Sequence, residues 1–176
     1  TKQNVLVEKA KEALQRKHDE AEVFLNEIKF DDALKAASVI GEQDDLRLQQ
    51  FTKWHEEFLT RLESSRRSEH DRLDRLIREV LAHEQVYDYE TGLQTLKQIA
   101  PSLQRTTLIG SEETVEEITK RLTTKQSRLK ELEGLVRERV TKQEMSGLLQ
   151  ILEELLTLKP DRPEVRKFKA RLEKRD

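Results

Sequence analysis

The chain has 176 residues, of which 39% are charged and 35% hydrophobic, with 33 basic and 35 acidic side chains. This near balance of charge argues against a dedicated nucleic-acid-binding protein, which normally carries a net basic face. The absence of cysteine excludes disulfides, thiolate nucleophiles and cysteine-based zinc sites. Because glycine (5) and proline (3) are scarce, the composition favours one helix-rich domain or a short helical array.

The lack of cysteine fits a reducing compartment, so we expect a cytoplasmic protein. No apolar run approaches the length of a membrane span, and no signal peptide is visible, so no membrane insertion is expected. Since the first residue is Thr1 rather than Met, we expect the chain to be a fragment of a longer protein.

Apolar residues at spacings of three and four predict a first helix from Val5 to Ile28. After a break near Lys29 and Phe30, the pattern predicts a second helix over 31–40. Gly41 follows it, and we expect that glycine to end the helix in the left-handed conformation that is common at helix C-termini.

The segment from 44 to 85 contains no glycine or proline and carries a near-heptad apolar stripe. The stripe is interrupted at 63–72, "ESSRRSEHDR", where there is no apolar side chain. Serine is a weak helix former, so this stretch is either a loop or a helical bridge that is solvated all round. We favour a continuous helix, because Arg, Glu and Asp side chains offer pairs three or four residues apart.

A turn at Tyr87-Asp88 precedes a short predicted helix over 89–99, which Pro101 closes, and residues 101–110 are expected to form a loop ending in Gly110. Ser111 is the predicted N-cap of a helix with an apolar stripe over 115–136. A capping-box pattern of Thr141 and Glu144 predicts the start of the next helix, which ends before Pro160, and a short last helix starts near Pro163.

Three stretches place a small residue before a leucine, at Ala33, Gly92 and Gly147, which lie 59 and 55 residues apart. They suggest three divergent copies of a long helix, a tight turn and a short helix, with a period of about 57 residues. The small residue would let two helix backbones approach closely. The alternative is that this pattern recurs by chance in a helical protein.

The sequence therefore predicts an all-α fold of about seven helices in tandem antiparallel hairpins, elongated and with long bridging helices. We expect a single helical array over 1–176, with units of approximately 1–41, 42–110 and 111–176. Each hairpin would cover part of an amphipathic helix, and the next unit would cover the rest.

The stretches "YDYETGLQTLKQIAPSLQ" and "SGLLQILEELLTLKPDRPEVRKFKARL" resemble helical segments of large planctomycete-type bacterial Ser/Thr protein kinases or formylglycine-generating-enzyme-like multidomain proteins. The resemblance covers about the last half of the chain and implies a non-catalytic regulatory or scaffold portion of a kinase-like polypeptide. The phrase "LKPDRPEV" is similar to the closing turn of a tetratricopeptide repeat, but the period is far from the roughly 34 residues of that repeat.

The candidate ionisable residues do not form a recognisable catalytic pattern. None of the four histidines, at positions 18, 55, 70 and 83, belongs to an HExxH sequence. His70 and Asp74 are four residues apart on a helix and would bind a metal weakly, although a solvated face is the favoured interpretation. The acidic pairs at 31–32, 44–45 and 112–113 lie near predicted helix starts, where the helix dipole accounts for them. We predict no catalytic, cofactor-binding or metal-binding residue and no cofactor.

A cluster of serines, Ser64, Ser65 and Ser68, lies beside Arg66 and Arg67. The pattern suggests phosphorylation of the serines, binding of a phosphate by the arginines or, as we prefer, a solvated helix. The basic tail "RKFKARLEKR" is compatible with nucleic acid or acidic lipid. A basic helix C-terminus is favourable in itself, so no nucleic-acid partner is predicted.

The predicted function is a non-catalytic helical scaffold or protein-interaction or spacer region of a larger signalling protein, with an unknown protein partner whose helix lies in an apolar groove. The aromatic residues worth testing are Phe24, Trp54, Phe58, Tyr87 and Tyr89. The alternative is a homodimeric coiled coil in which the stripes at 48–62 and 115–136 pair between chains, with Lys125 weakening the seam. Monomer and homodimer both remain open.

Overall fold

The computed structural model describes residues 1–107 and 111–175, and the loop end predicted at Gly110 lies outside them. Within these residues the chain is 81% helical and has no β-strand, which confirms the all-α prediction. Seven helices are described: α1 (Lys2–Asn26), α2 (Phe30–Gly41), α3 (Gln49–Gln85), α4 (Tyr89–Leu96), α5 (Val115–Thr141), α6 (Leu148–Leu158) and α7 (Pro163–Arg175). Short 3₁₀ turns lie at Leu46–Leu48 and Pro101–Leu103.

The described residues divide into two compact units. Unit 1 contains residues 1–75 and 100–104, and unit 2 contains residues 76–99 together with the described part of 105–176. The three units that we predicted, with limits at 41 and 110, are based on a repeated sequence pattern and not on the compactness of the fold. They stay a prediction.

Residues 63–72 are helical, as predicted, and lie within the 37-residue helix α3. Two pairs with helical spacing lie in this stretch, Arg67–Glu63 and Arg72–Glu69, each with a nitrogen–oxygen distance of 3.9 Å. Such exposed pairs each contribute a few tenths of a kcal/mol, about 0.3–0.5. The absence of any helix breaker therefore matters more for continuity than the ion pairs do.

The same tight turn occurs after α1, α3 and α5. A residue with left-handed backbone lies two residues after the end of each long helix: Ile28 (φ 62°), Tyr87 (φ 63°) and Gln143 (φ 56°). The next amide N–H donates to a carbonyl five residues back with an N···O distance of 2.9 Å in each turn, from residues 29 to 24, 88 to 83 and 144 to 139. This hydrogen-bond pattern is the Schellman motif. The turn that recurs in the sequence therefore also has the same backbone conformation in all three places.

The third copy differs from the other two after the turn. Helices α2 and α4 begin two residues after the left-handed residue, whereas α6 begins at Leu148, five residues after Gln143. Gly147 is exposed and serves as the N-cap of α6 with φ 73°, so its predicted role as a close-packing residue is wrong. The extra residues move the start of the helix, and the glycine supplies a backbone conformation instead of a contact.

Gly41 is also used differently from its prediction. It is the last residue of α2 and does not have a positive φ. A methyl group built on its Cα would lie 2.6 Å from Cε1 of His55. The prediction of a left-handed glycine is therefore wrong, and the imidazole of α3 packs directly against the glycine at the end of α2.

Two predicted helix caps are wrong. The N-cap of α5 is Thr114, whose hydroxyl accepts the Glu117 amide (3.1 Å) while the Glu117 carboxylate accepts the Thr114 amide (3.3 Å). Ser111 lies three residues earlier and accepts the Glu113 amide in the preceding turn. Thr141 does not cap α6, because it belongs to α5 and its hydroxyl donates to the Arg137 carbonyl.

The core of unit 1 lies where α1, α2 and the first half of α3 meet. Alanines 33, 36 and 37 of α2 are buried, which lets the neighbouring helices approach closely, and Phe58 and Leu62 of α3 cover them. A second cluster, formed by Leu14, Ile40, Leu48 and Phe51, lies beside it. The first turns of α1 extend beyond these clusters, and residues 1–13 contain no buried side chain.

Candidate functional site

Unit 1 carries an open cleft of about 280 Å³ between the start of α1 and the 3₁₀ turn at Leu46–Leu48. We call it the α1 cleft. Six residues line it: Gln3, Leu6, Val7 and Ala10 from α1, and Asp45 and Arg47 from the 3₁₀ turn. Three of the lining side chains are aliphatic, and the other three are polar or charged.

The α1 wall of the cleft follows from helical spacing. Its four residues stand at positions i, i+3, i+4 and i+7, which share one face of a helix. This face continues into the core at Leu14, but Leu6 remains 65% exposed. The apolar stripe of α1 is therefore longer than the core that covers it.

The opposite wall is held in place by hydrogen bonds. Asp45 caps the 3₁₀ turn by accepting the Arg47 amide (2.9 Å), and it also accepts two bonds from the Arg47 guanidinium, from Nε (3.0 Å) and Nη2 (2.8 Å). These donors lower the pKa of the Asp45 carboxyl to about 2. Gln43 ties the turn to α3 by donating to the Thr52 hydroxyl (2.6 Å). Leu46 lies between the paired residues and is 83% exposed.

Charged residues close in sequence to the α1 cleft are exposed. Lys2 and Lys9 are exposed on α1, and Glu42 and Asp44 are exposed just before the capped 3₁₀ turn. None of these four is among the six lining residues, so the charges in the wall itself are those of Asp45 and Arg47.

The α1 cleft has a mixed lining, with aliphatic side chains on the α1 wall and the Asp45–Arg47 pair on the opposite wall. Its volume of about 280 Å³ lies just below the range of small-molecule sites, which is about 300–1,000 Å³. The ionisable pair in its wall, Asp45 and Arg47, is engaged in its own bidentate contact. General acid–base chemistry requires ionisable groups of differing environment that converge on one substrate position, and the lining does not supply them.

The predicted aromatic candidates of unit 1 are part of its packing. Trp54 stacks on the buried ring of Phe58 (centroids 4.7 Å apart) and contacts the ring of His18 (4.3 Å). Its indole N–H donates to Glu22 (3.0 Å), a carboxylate that also accepts from Arg61. The Arg61 contact is the main reason why the pKa of Glu22 is lowered. Phe24 is half-buried and packs against the same core.

The aromatic candidate Tyr89 is buried in unit 2, and its hydroxyl donates to the Leu158 carbonyl. Lys125 lies over the Tyr89 ring (5.7 Å) and donates to Glu84 (3.0 Å). Arg121 donates to both oxygens of Glu84 (2.9 Å each), which lowers the pKa of that carboxyl. Lys125, which the coiled-coil alternative places in a seam between two chains, therefore makes these contacts within a single chain. Tyr87 is the half-buried left-handed residue of the second turn.

The histidine and acidic candidates are distributed over several helices. His55 packs against Gly41, and no group of three or more His, Cys, Asp or Glu residues suited to a metal ion occurs in residues 1–107 and 111–175. Asp31 and Asp32 occupy the first turn of α2, as predicted. In α5 that position belongs to Glu116 and Glu117 rather than to the predicted pair at 112–113. The later cap at Thr114 is the reason for this shift.

The serine candidates lie on α3, with Ser64 and Ser68 exposed. They border a shallow depression of about 680 Å³ whose described lining comes only from residues 59–71 of that helix. The Arg66 guanidinium already has partners within the protein, because it pairs with Asp31 (3.4 Å) and lies over the Phe30 ring (5.8 Å).

Sequence reasoning missed the α1 cleft. The available signal was the run "VLVEKA" at 5–10, whose apolar residues precede the first well-packed position, together with an isolated Leu46. Periodicity alone treats such a run as core, and only the contacts reveal that Val7 packs on the core whereas Val5 and Leu6 stay exposed.

Comparisons with protein-family models, with curated proteins and with solved structures found no significant match to this chain. Among the described residues, no helix has both the length and the apolar content that crossing a membrane requires.

Proposed function

We propose that this chain is a non-catalytic helical scaffold that binds another protein, as an interaction or spacer region of a larger signalling protein of the kinase-like kind that the resemblance implies. The observation that carries the proposal is the α1 cleft, in which the exposed Leu6 faces a 3₁₀ turn that is fixed by hydrogen bonds.

Burial of exposed apolar side chains supplies the affinity. Leu6 is 65% exposed, Leu46 83% and Val5 54%, so these three side chains retain much of their area for a partner to cover. Full burial of a side chain of this size contributes about 1.5–3 kcal/mol. Leu6 lines the cleft, while Val5 precedes it in α1 and Leu46 lies between the wall residues Asp45 and Arg47 in sequence.

The charged residues support a structural role for the helices. The pair Arg128–Glu154 (2.6 Å) joins α5 to α6, and Arg162, which lies just before α7, pairs with Glu133 of α5 (2.6 Å). Such pairs give register and specificity rather than reactive groups, because each partner is held by the other.

Site-specific photo-crosslinking tests the proposal. A photoreactive amino acid replaces Leu46 beside the cleft, and a control replaces Val39, which is 44% exposed on α2 outside the cleft. Within cells that produce the full-length protein, we expect one discrete crosslinked protein from position 46, none from position 39, and loss of the product on Leu6→Glu. Equal crosslinking at both positions, or a metal or nucleotide that copurifies stoichiometrically, would contradict the proposal.

The homodimeric coiled coil remains the second candidate because both near-heptad stripes exist. However, Phe51, Phe58 and Leu62 of the first stripe, and Ile118, Leu122, Leu129 and Leu132 of the second, are buried within a single chain. Pairing between chains would have to expose them first. Multi-angle light scattering distinguishes the candidates, since a mass that stays at 20.7 kDa over a hundredfold range of concentration argues against the dimer.

A further inference from the structure

We infer that the exposed face of α7 binds an acidic segment of a partner protein through three cations, Lys167, Arg171 and Lys174. We call these three residues the α7 stripe. They belong to unit 2, whereas the residues of the α1 cleft belong to unit 1. The inference therefore adds a second binding surface to the proposed function and does not depend on the cleft.

Helix α7 concentrates positive charge in a chain whose net charge is −2. Its 13 residues include six Lys or Arg side chains and two Glu side chains, which is a net charge of +4. Since the whole chain carries −2, the residues outside α7 carry −6. The positive surface is therefore local, and an anionic partner is attracted to α7 but not to the chain as a whole.

The α7 stripe follows from helical spacing. Its residues stand at positions i, i+4 and i+7, so their side chains lie in one line along two turns of the helix, over about 10 Å. All three are exposed. None of them forms an ion pair within residues 1–107 and 111–175, and the pair described within α7 joins Lys169 to Glu173 (3.7 Å). The three charges of the stripe are therefore available to a partner.

Helix stability does not account for the α7 stripe. The helix dipole favours cations in the last turn, which explains Lys174 and Arg175 but not Lys167 and Arg171, which lie nearer the start. Like charges four residues apart, such as Lys167 and Arg171, also destabilise a helix slightly, whereas opposite charges at this spacing stabilise it. The stripe is unfavourable for the isolated helix, and carboxylates of a partner would remove the repulsion.

The surroundings of the stripe favour an acidic protein segment over a membrane or a nucleic acid. A helix that lies in a lipid interface inserts its apolar face, but Val165, Phe168 and Leu172 are partly buried and α7 packs on α6. Single-stranded nucleic acids stack on exposed aromatic rings, and the one aromatic ring of α7 is that of Phe168. A duplex or a bilayer extends far beyond a stripe of about 10 Å and also meets the negative remainder of the protein.

Nuclear magnetic resonance titration of the ¹⁵N-labelled full chain tests the inference. The probe is a helical peptide of about 18 residues with glutamates at i, i+4 and i+7, and its control has glutamines there, which keep the length and the helix propensity. Each exposed ion pair is expected to change affinity about twofold, so the acidic peptide should bind about tenfold more tightly. We expect the shifted amide signals to lie in α7 and the difference between the peptides to shrink at high salt.

Matched variants locate the binding surface. The triple variant Lys167→Gln/Arg171→Gln/Lys174→Gln should weaken the acidic peptide about tenfold. It should keep its helix, because the substitutions are at exposed positions and remove like-charge repulsion, and circular dichroism checks this. The control variant should change the affinity less than about twofold. It removes three exposed lysines from three helices of unit 1: Lys11→Gln, Lys35→Gln and Lys53→Gln.

The inference is overturned if the two peptides bind equally, if both triple variants weaken binding alike, if the shifted signals lie outside α7, or if neither peptide binds. It is also overturned if a duplex oligonucleotide or phosphatidylserine vesicles bind more tightly than the acidic peptide and lose that binding in the α7 variant. Photo-crosslinking at position 46 tests the α1 cleft separately, so a failure there and a failure of the stripe are distinguishable.

Discussion

Replacement of Gly92 by alanine tests how closely α4 and α5 approach each other, through its effect on the stability of the protein. A methyl group at this position would lie 2.7 Å from Cδ2 of Leu122, a side chain with no exposed area. Because Leu122 is enclosed, its terminal methyl cannot move away without displacing its own neighbours. Gly134 lies in α5 with nothing within 4 Å of the corresponding methyl position, and it provides a matched helical control in the same unit.

The expected free energies follow from two opposing terms. Alanine is favoured over glycine inside a helix by about 1 kcal/mol, so Gly134→Ala should stabilise the protein by about that amount. Gly92→Ala gains the same term, but overpacking a filled core costs about 1–3 kcal/mol. We therefore expect Gly92→Ala to be about 1 kcal/mol less stable than the wild type and about 2 kcal/mol less stable than Gly134→Ala.

Urea denaturation followed by far-ultraviolet circular dichroism measures these differences. A double-mutant cycle with Leu122→Ala identifies the contact, because removal of Cδ2 should turn Gly92→Ala from destabilising to stabilising. If Gly92→Ala stabilised the wild-type protein as much as Gly134→Ala does, the proposed close approach of α4 and α5 would be wrong.

Further substitutions test the turns and the polar contacts, each by urea denaturation. Gln143→Gly should stabilise the protein by about 1 kcal/mol, because it relieves left-handed strain at an exposed position. Ile28→Gly should instead destabilise the protein, because it removes a side chain that packs on the core. Equal effects of the two substitutions on the free energy of unfolding would contradict this reasoning. Glu84→Gln should cost about 2 kcal/mol at pH 7 through loss of its charged contacts with Arg121. Since the folded pKa of Glu84 is lowered, its contribution is complete above the ordinary glutamate pKa and is lost as the pH falls through the folded value, so a gap that does not narrow in acid would refute the assignment. Trp54→Phe retains the stacked ring but loses the indole hydrogen bond, at a cost of about 1 kcal/mol, and an unchanged midpoint would argue against that bond.

Much of the helical framework was predictable from local chemistry. The absence of glycine and proline over 44–85 correctly predicted that α3 continues through 63–72, because helix continuity depends on neighbours three and four residues away. Pro163 at the first position of α7 and the acidic first turn of α2 follow the same local rules. These features require no knowledge of what a helix packs against.

The errors fall where a residue has two possible uses. Gly41, Gly92 and Gly147 are the same residue type near helix ends or turns, yet the first two accommodate a neighbouring side chain and the third supplies a left-handed backbone. Thr114 and Ser111 are both suitable N-caps, and the reciprocal bond with Glu117 selects the later one. The sequence allows each alternative, and the position of a partner atom selects one.

By itself, the sequence determined the all-α class, the approximate helix limits and the recurrence of one turn, because these depend on propensities and spacings within a few residues. Only the tertiary structure decided that the Trp54 and Tyr89 rings are packing elements, and that Leu6 and Leu46 are left uncovered within the described chain. The physical reason is that burial depends on contacts between residues far apart in sequence. An apolar side chain on a helical stripe has the same local pattern whether or not another helix covers it.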